Sequence, residues 1–408
     1  MNRAVTSKVE IPKDSWANES KLPRWDWIVL PLLSLMTIGL LAGSAELTAR
    51  RLFPELGTSP VKYIVNDPSI FTHGIPNAHF WYKTPEGELV EYRFNSSGYR
   101  MDQDFAPKAP GTFRIVLLGS SNTVGYMVPR EKTYAALLPI ELSRRTGQTV
   151  EIYNEAFANE FAESISDHFN EVLKLSPDLI LWAVDIGAFL PQPRISTAHV
   201  QQTTVKSGSS GKNLTYFGSL SSHIPILSLM KLHGQFIAPR MLMHFLYGSR
   251  SGHLRAYLAQ PDDAVGYLKS EPSALWQTWI HGFEDNYAMI QSQAKTAGVA
   301  LVVTNLPRQE AALMIAIGDW PKGYDPYKLN SDIRRIVTTQ GGTFIDLMPD
   351  FRGQLYACQE LPYLRVEGHL DWRGHAMVSE FLAKGLTSGV VPALSTPNQL
   401  QGDQGYGR

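Results

Sequence analysis

Little in this sequence is available for covalent cross-linking or metal capture. Its 408 residues include one cysteine, Cys358, so no intramolecular disulfide can form, and a chain of this length does not need one to be stable. That absence leaves export to an oxidising compartment open. The eleven histidines are scattered, with no His-x-x-x-His pair and no carboxylate cluster at ligand spacing, so neither a metal nor another cofactor is expected. A phosphate-cradling loop is missing too, because Gly119 is followed by neither further glycines nor a lysine. Charge of one sign is also lacking: 37 Lys and Arg against 38 Asp and Glu give a net charge of -1. With no basic cluster on the chain, nucleic acid is not an expected partner.

Long hydrophobic runs are scarce, with one exception. Residues 27–45 carry no charge and include Leu32-Leu33, Leu35-Met36 and Ile38-Gly39-Leu40-Leu41, enough for one membrane span at ~1.5 Å per residue. We read 27–46 as a retained transmembrane anchor. A buried core helix and a cleaved signal peptide ending at Gly43-Ser44-Ala45 are the competing readings. Lysines and arginines flank the run on both sides, so the positive-inside bias is slight.

The remaining 44% hydrophobic content suffices for one large core with a smaller attachment. Residues 52–110 contain short alternating pieces around Pro85-Glu86-Gly87 and read as a small β-containing lead-in. From 111 onward strands and helices alternate. Strands are expected over 113–118, 150–153, 179–184, 300–304 and 342–347, and helices over 133–145, 163–175, 274–298 and 330–339. Such alternation implies a parallel sheet with right-handed crossovers, a three-layer α/β sandwich with five strands. An insertion at about 189–272 is expected to form a helical cap. Its stretch 226–247 is also read as an interfacial helix, because Lys231 and Arg240 interleave with Met, Phe and Leu there. Residues 387–408, rich in Gln, Gly and Pro, are expected to be disordered.

The chemistry centres on Gly119-Ser120-Ser121-Asn122, a turn that places hydroxyls at the carboxyl end of the first strand of the sheet, where open α/β sheets gather ligand groups. Near the other end stand Glu367-Gly368-His369 and Gly374-His375. These blocks, together with Asn95-Ser96-Ser97-Gly98-Tyr99-Arg100 upstream, resemble the SGNH (GDSL-like) hydrolase superfamily. The variant Gly-Ser-Ser, with Pro362-Tyr363 and the run from His369 to Gly374, is more similar to its membrane-anchored branch, the SGNH component of teichoic-acid D-alanylation and polysaccharide O-acylation systems. The resemblance implies a flavodoxin-like fold with Ser121 as nucleophile, His369 as base and Glu367 as the acid that orients the imidazole. Asp371 and His375 are read as turn and helix-face groups. For the oxyanion hole it points to the Ala156 N–H at a position where relatives have glycine, and to a strand-three turn, Asp185-Ile186-Gly187, that lacks the usual Asn. Asn122, Asn154 and Asn159 are the candidates for the missing donor, while an ionised Asp185 aimed into the site would oppose an oxyanion.

The same resemblance implies a cytoplasmic tail over 1–26 and an extracytoplasmic, periplasmic catalytic domain over 111–386. It implies action on acyl (acetyl) esters of a cell-surface polysaccharide or lipid, with a membrane-bound O-acyltransferase as partner. A serine esterase or O-acyltransferase is one outcome, and a catalytically degenerate SGNH-fold binding or assembly module is the other.

Overall fold

The computed structural model describes residues 25–52, 64–66, 72–82, 86–157, 161–191 and 236–395. It separates into two units, 1–52 and 53–408. The first is represented by one helix, α1 (Asp26–Leu52), with Asp26 in its first turn and Arg50 and Arg51 in its last, charges that suit the helix dipole. Its leucines, isoleucines and methionine are exposed, and the helix is long and apolar enough to cross a membrane.

The second unit is built on a five-stranded, wholly parallel sheet: β5 (Thr112–Gly119), β6 (Thr149–Asn154), β7 (Leu179–Val184), β8 (Ala300–Asn305) and β9 (Thr343–Ile345), in the order β6-β5-β7-β8-β9. Ahead of it lie two antiparallel pairs, β1 (Ile64–Asn66) with β2 (Thr72–Gly74), and β3 (His79–Tyr82) with β4 (Val90–Arg93). Strand alternation divides the core in two. Val116, Leu118, Ile180, Trp182 and Val303 face one way, onto Phe169 of α4 (Ala162–Lys174), Phe283 and Tyr287 of α7 (Ala274–Thr296) and Ile333 of α9 (Lys328–Thr339). Ile115, Leu117, Leu179, Leu181 and Val302 face the other way. They meet α3 (Tyr134–Thr146), α8 (Gln309–Ile317), α10 (Met348–Ala357) and α11 (Trp372–Gly385) through Leu138, Ile315, Phe351 and Val378. Each fully buried side chain of this size contributes ~1.5–3 kcal/mol. The result is the three-layer α/β sandwich expected, with β5 central enough for the strand order to reverse beside it.

Within the insertion, α5 (Ile237–Leu246) and α6 (Arg250–Leu258) are helical; the tract 206–211 and the first part of 226–247 lie outside the described residues. The carboxyl end of the chain differs from expectation. Order continues past 386 through Leu386–Val390 and Pro392–Leu394, because Thr387, Val391 and Leu394 are buried. The rest of the expected disordered tail, and residues 1–24, lie outside the described residues.

Candidate active site

Gly119 closes β5 with φ +150, and a Cβ there would lie 2.7 Å from the Ala183 carbonyl and against Thr123 Oγ1. Only glycine lets the chain turn so tightly out of β5 against the neighbouring β7. The turn opens directly into α2 (Ser121–Val124), which leaves Ser121 partly exposed at the strand's carboxyl end. Asn154 at the end of β6 supports it by donating through Nδ2 to the Thr123 carbonyl, 3.0 Å.

His369 arrives from a loop that folds back on itself. Its carbonyl accepts from the Leu364 N–H, the Leu364 carbonyl accepts from the Gly368 N–H (2.8 Å each), and Gly368 has φ +72. Asp371 caps α11 by accepting from the N–H groups of Arg373 and Gly374, 2.8 and 3.0 Å, which fixes where the loop meets the helix. Asn122 joins the two segments, accepting the Leu370 N–H at 2.9 Å. As a result Ser121 Oγ and His369 Nε2, 248 positions apart, are separated by 2.9 Å.

The imidazole is held below its ordinary pKa, first by burial; the charge and backbone carbonyl of Glu367 and the charge of Asp185 oppose this, and Arg308 adds to it. It is therefore neutral near pH 7, as a general base must be. Glu367 acts on the ring through its field more than through a formed carboxylate–imidazole bond. With the Nδ1 tautomer, the hydroxyl of Ser121 donates to Nε2 and the pair can pass a proton from hydroxyl to imidazole.

The other candidate residues divide clearly. Asp185 is buried and engaged: Oδ2 accepts from Ser120 Oγ and Oδ1 from the Gly187 N–H at 2.8 Å. Its charge is thus directed at a hydroxyl and an amide, and the Gly187 N–H is consumed in the same cap. The Ala156 N–H donates to Asn154 Oδ1 at 3.2 Å, a long bond that an oxyanion would have to replace. Asn159 lies outside the described residues. His375 is fully buried against Tyr134, accepting that residue's N–H at 3.2 Å.

Sequence reasoning missed several groups around the pair. The Tyr126 ring packs 4.8 Å from the His369 ring. Gln309 Nε2 donates to the carbonyls of Leu364 and Arg365, 3.3 and 3.2 Å, and Glu86 Oε2 accepts the Val366 N–H at 2.8 Å. Arg100 donates to the carbonyls of Val124, Gly125 and Val128, clamping the far side of the nucleophile turn. Arg308 and Gln309 follow β8 at its carboxyl end, the same edge that carries Ser121, and that position was the available signal.

No family model and no curated protein matches this chain. Among solved structures it is similar to an acetyl xylan esterase, with 12% identity over 67% of this chain and 98% of that one at a TM-score of 0.37. It is similar also to TesA, with 9% identity over 68% and 99% at 0.36. A third is a mutant of Axe2, an acetyl-xylooligosaccharide esterase from Geobacillus Stearmophilus, with 9% identity over 68% and 96% at 0.37. Likeness at this level leaves the chemistry to the site's own geometry.

Proposed function

We propose that the chain is an acyl-ester hydrolase or acyltransferase of SGNH type, with Ser121 as nucleophile, His369 as general base and acid, and Glu367 as the charge that stabilises the imidazolium. The observation that carries this reading is the 2.9 Å approach of a strand-end serine hydroxyl to a neutral imidazole. Attack by Ser121 Oγ on an ester carbonyl transfers the hydroxyl proton to Nε2, and the imidazolium returns it to the leaving alkoxide. Water or an acceptor hydroxyl then repeats the sequence on the acyl-enzyme. Ser121's own N–H and the Ala156 N–H are the oxyanion donors in this scheme. The apolar α1 supports tethering to a membrane. A catalytic domain outside the cytoplasm, an acylated cell-surface polysaccharide or lipid as substrate, and a membrane-bound O-acyltransferase partner rest on the resemblance of the serine and histidine blocks.

A second reading, a binding or assembly module with a vestigial site, is favoured by the engagement of Ala156 N–H with Asn154 and of Gly187 N–H with Asp185. The full chain in detergent separates the two. An enzyme hydrolyses small activated acetyl esters, loses this activity in Ser121→Ala and His369→Ala, and is labelled at Ser121 by a serine-directed phosphonate. Inertness toward a broad ester panel together with no labelling rejects the enzyme.

A further inference from the structure

A cavity of about 710 Å³ lies beside the Ser121–His369 pair and includes neither residue in its wall. It is continuous with both of their segments. Met127, Val128 and Pro129, which follow the nucleophile turn, form one side, and Tyr363, Leu364 and Arg365, which lead into the histidine loop, form another. The far wall comes from α5, α6 and the turn between them through His244, His253 and Tyr247. Most of the lining is polar, which argues against an acyl chain as occupant.

Most of the charges in this wall are already committed. Glu86 accepts from Val366 N–H, Glu88 pairs with Lys132 at 2.8 Å, and Glu360 and Asp371 both face Arg373, at 3.5 and 2.7 Å. Arg250 donates to the carbonyls of Cys358 and Gln359, 2.6 and 2.8 Å. The guanidinium of Arg365 is different, having no hydrogen-bond or ion-pair partner among the described residues. Its neighbours His244 and His253 are imidazoles held below their ordinary pKa, chiefly by burial; the field of Arg365 adds to this at both, and the charge of Glu310 opposes it at His253. His244 keeps a buried Nδ1 with no partner. Trp372 adds an indole that is 55% exposed at the same cavity.

We propose that this cavity is a subsite for the non-acyl portion of the ester substrate, a glycan bearing a carboxylate or phosphate. Arg365 binds the anion through its planar fork of donors, the neutral imidazoles hydrogen-bond sugar hydroxyls, and the Trp372 face lies against the C–H surface of a ring. The assignment rests on the acyl-ester reading of Ser121 and His369, so its test does not depend on turnover.

Full-length Ser121→Ala protein in detergent is titrated calorimetrically with an oligogalacturonate, a maltooligosaccharide phosphate and the neutral maltooligosaccharide of equal length. The anionic probes bind at least tenfold tighter than the neutral one at low salt, and the advantage shrinks as salt rises. Arg365→Ala removes the advantage, Arg365→Lys keeps part of it, and Trp372→Ala weakens all three probes. The tighter of the two anionic arms identifies carboxylate or phosphate. Equal binding of neutral and anionic probes, or anion binding unchanged in Arg365→Ala, overturns the proposal. So does displacement of Arg365-dependent binding by vesicles of anionic lipid but not by excess oligosaccharide. Anion-selective glycan binding by a protein whose intact Ser121 never turns over an ester supports the subsite while rejecting the hydrolase.

Discussion

Replacing Arg100 tests whether the lead-in holds the nucleophile in place. Its buried guanidinium lies 4.0 Å from the Tyr92 ring centroid and donates to Val124 O at 3.2 Å, Gly125 O, Val128 O at 2.8 Å and Glu91 O at 3.3 Å. Three of those carbonyls belong to the segment that begins with Ser121. In Arg100→Ala they lose a charged donor at ~1.5–3 kcal/mol each, offset by recovering the desolvation of a buried cation, for a net loss of about 3–5 kcal/mol. A unit of this size changes its melting temperature by roughly 1.5 °C per kcal/mol, so the midpoint should fall by about 4–8 °C. Because α2 is a single turn, and Asn154 and Tyr134 hold only its Thr123 while Arg100 alone spans the carbonyls of Val124, Gly125 and Val128, Ser121 also loses its register with His369. We expect kcat on an activated ester to fall at least tenfold with KM little changed. Arg100→Lys restores part of the stability and little of kcat, since one ammonium cannot span three carbonyls. Thermal melts and steady-state kinetics on the full chain in detergent provide the check. A variant that melts within a degree of wild type and keeps its kcat would show that the nucleophile turn does not depend on the lead-in.

Four further outcomes follow from buried charges. Since His369 must be neutral to act as base, kcat/KM should fall with decreasing pH through a pKa below the usual imidazole value. Glu367→Gln, which removes the charge opposing the burial effect, should move that limb further toward acid and lower kcat less than Ser121→Ala does; a limb moved toward alkali would contradict the assignment. Asp185→Asn leaves Ser120 Oγ and the Gly187 N–H competing for one amide oxygen, so it should cost ~1–3 kcal/mol of stability and not raise kcat. A higher kcat at unchanged stability would instead place Asp185 against the oxyanion. Burial and the nearby Glu171 push Glu155 up to about 8. The folded chain then holds a proton that the unfolded chain has released, and stability falls as pH rises from about 4.5 to 8 at up to ~1.4 kcal/mol per unit. Glu155→Gln should therefore gain melting temperature progressively across that range, and a gain independent of pH would refute the linkage.

The parts of this fold legible in the sequence are those with a periodic or local signature. β5, β7 and β8 read as short apolar runs because both of their faces are buried, and α9 declared itself through an apolar stripe at helical spacing, Leu329, Ile333, Ile336 and Val337. α8 gave no such sign. Its residues from Gln309 to Ile315 are all buried, so no exposed face marks its period, and the apolar run from Ala311 to Ile317 reads equally well as a strand. α10 is obscured by Pro349 and Gly353, both of which signal turns.

The same distinction explains the site. Ser121 and His369 sit in blocks whose residue order is recognisable, yet their surroundings depend on pairings that leave no local trace. Whether an amide or carboxylate in such blocks is available to a substrate depends on the bonds it already makes: Asn154 is used by Thr123 and Ala156, and Asp185 by Ser120 and Gly187. The clearest case is Glu86, which the sequence offers as part of a Pro-Glu-Gly turn. In the fold its carboxylate grips Val366 across 280 positions, one residue before Glu367. Together with Arg100 on the serine side, it makes the lead-in a brace against both halves of the Ser121–His369 pair. A brace of this kind has no sequence period to detect, because each of its contacts is a single pairing fixed by the packed domain.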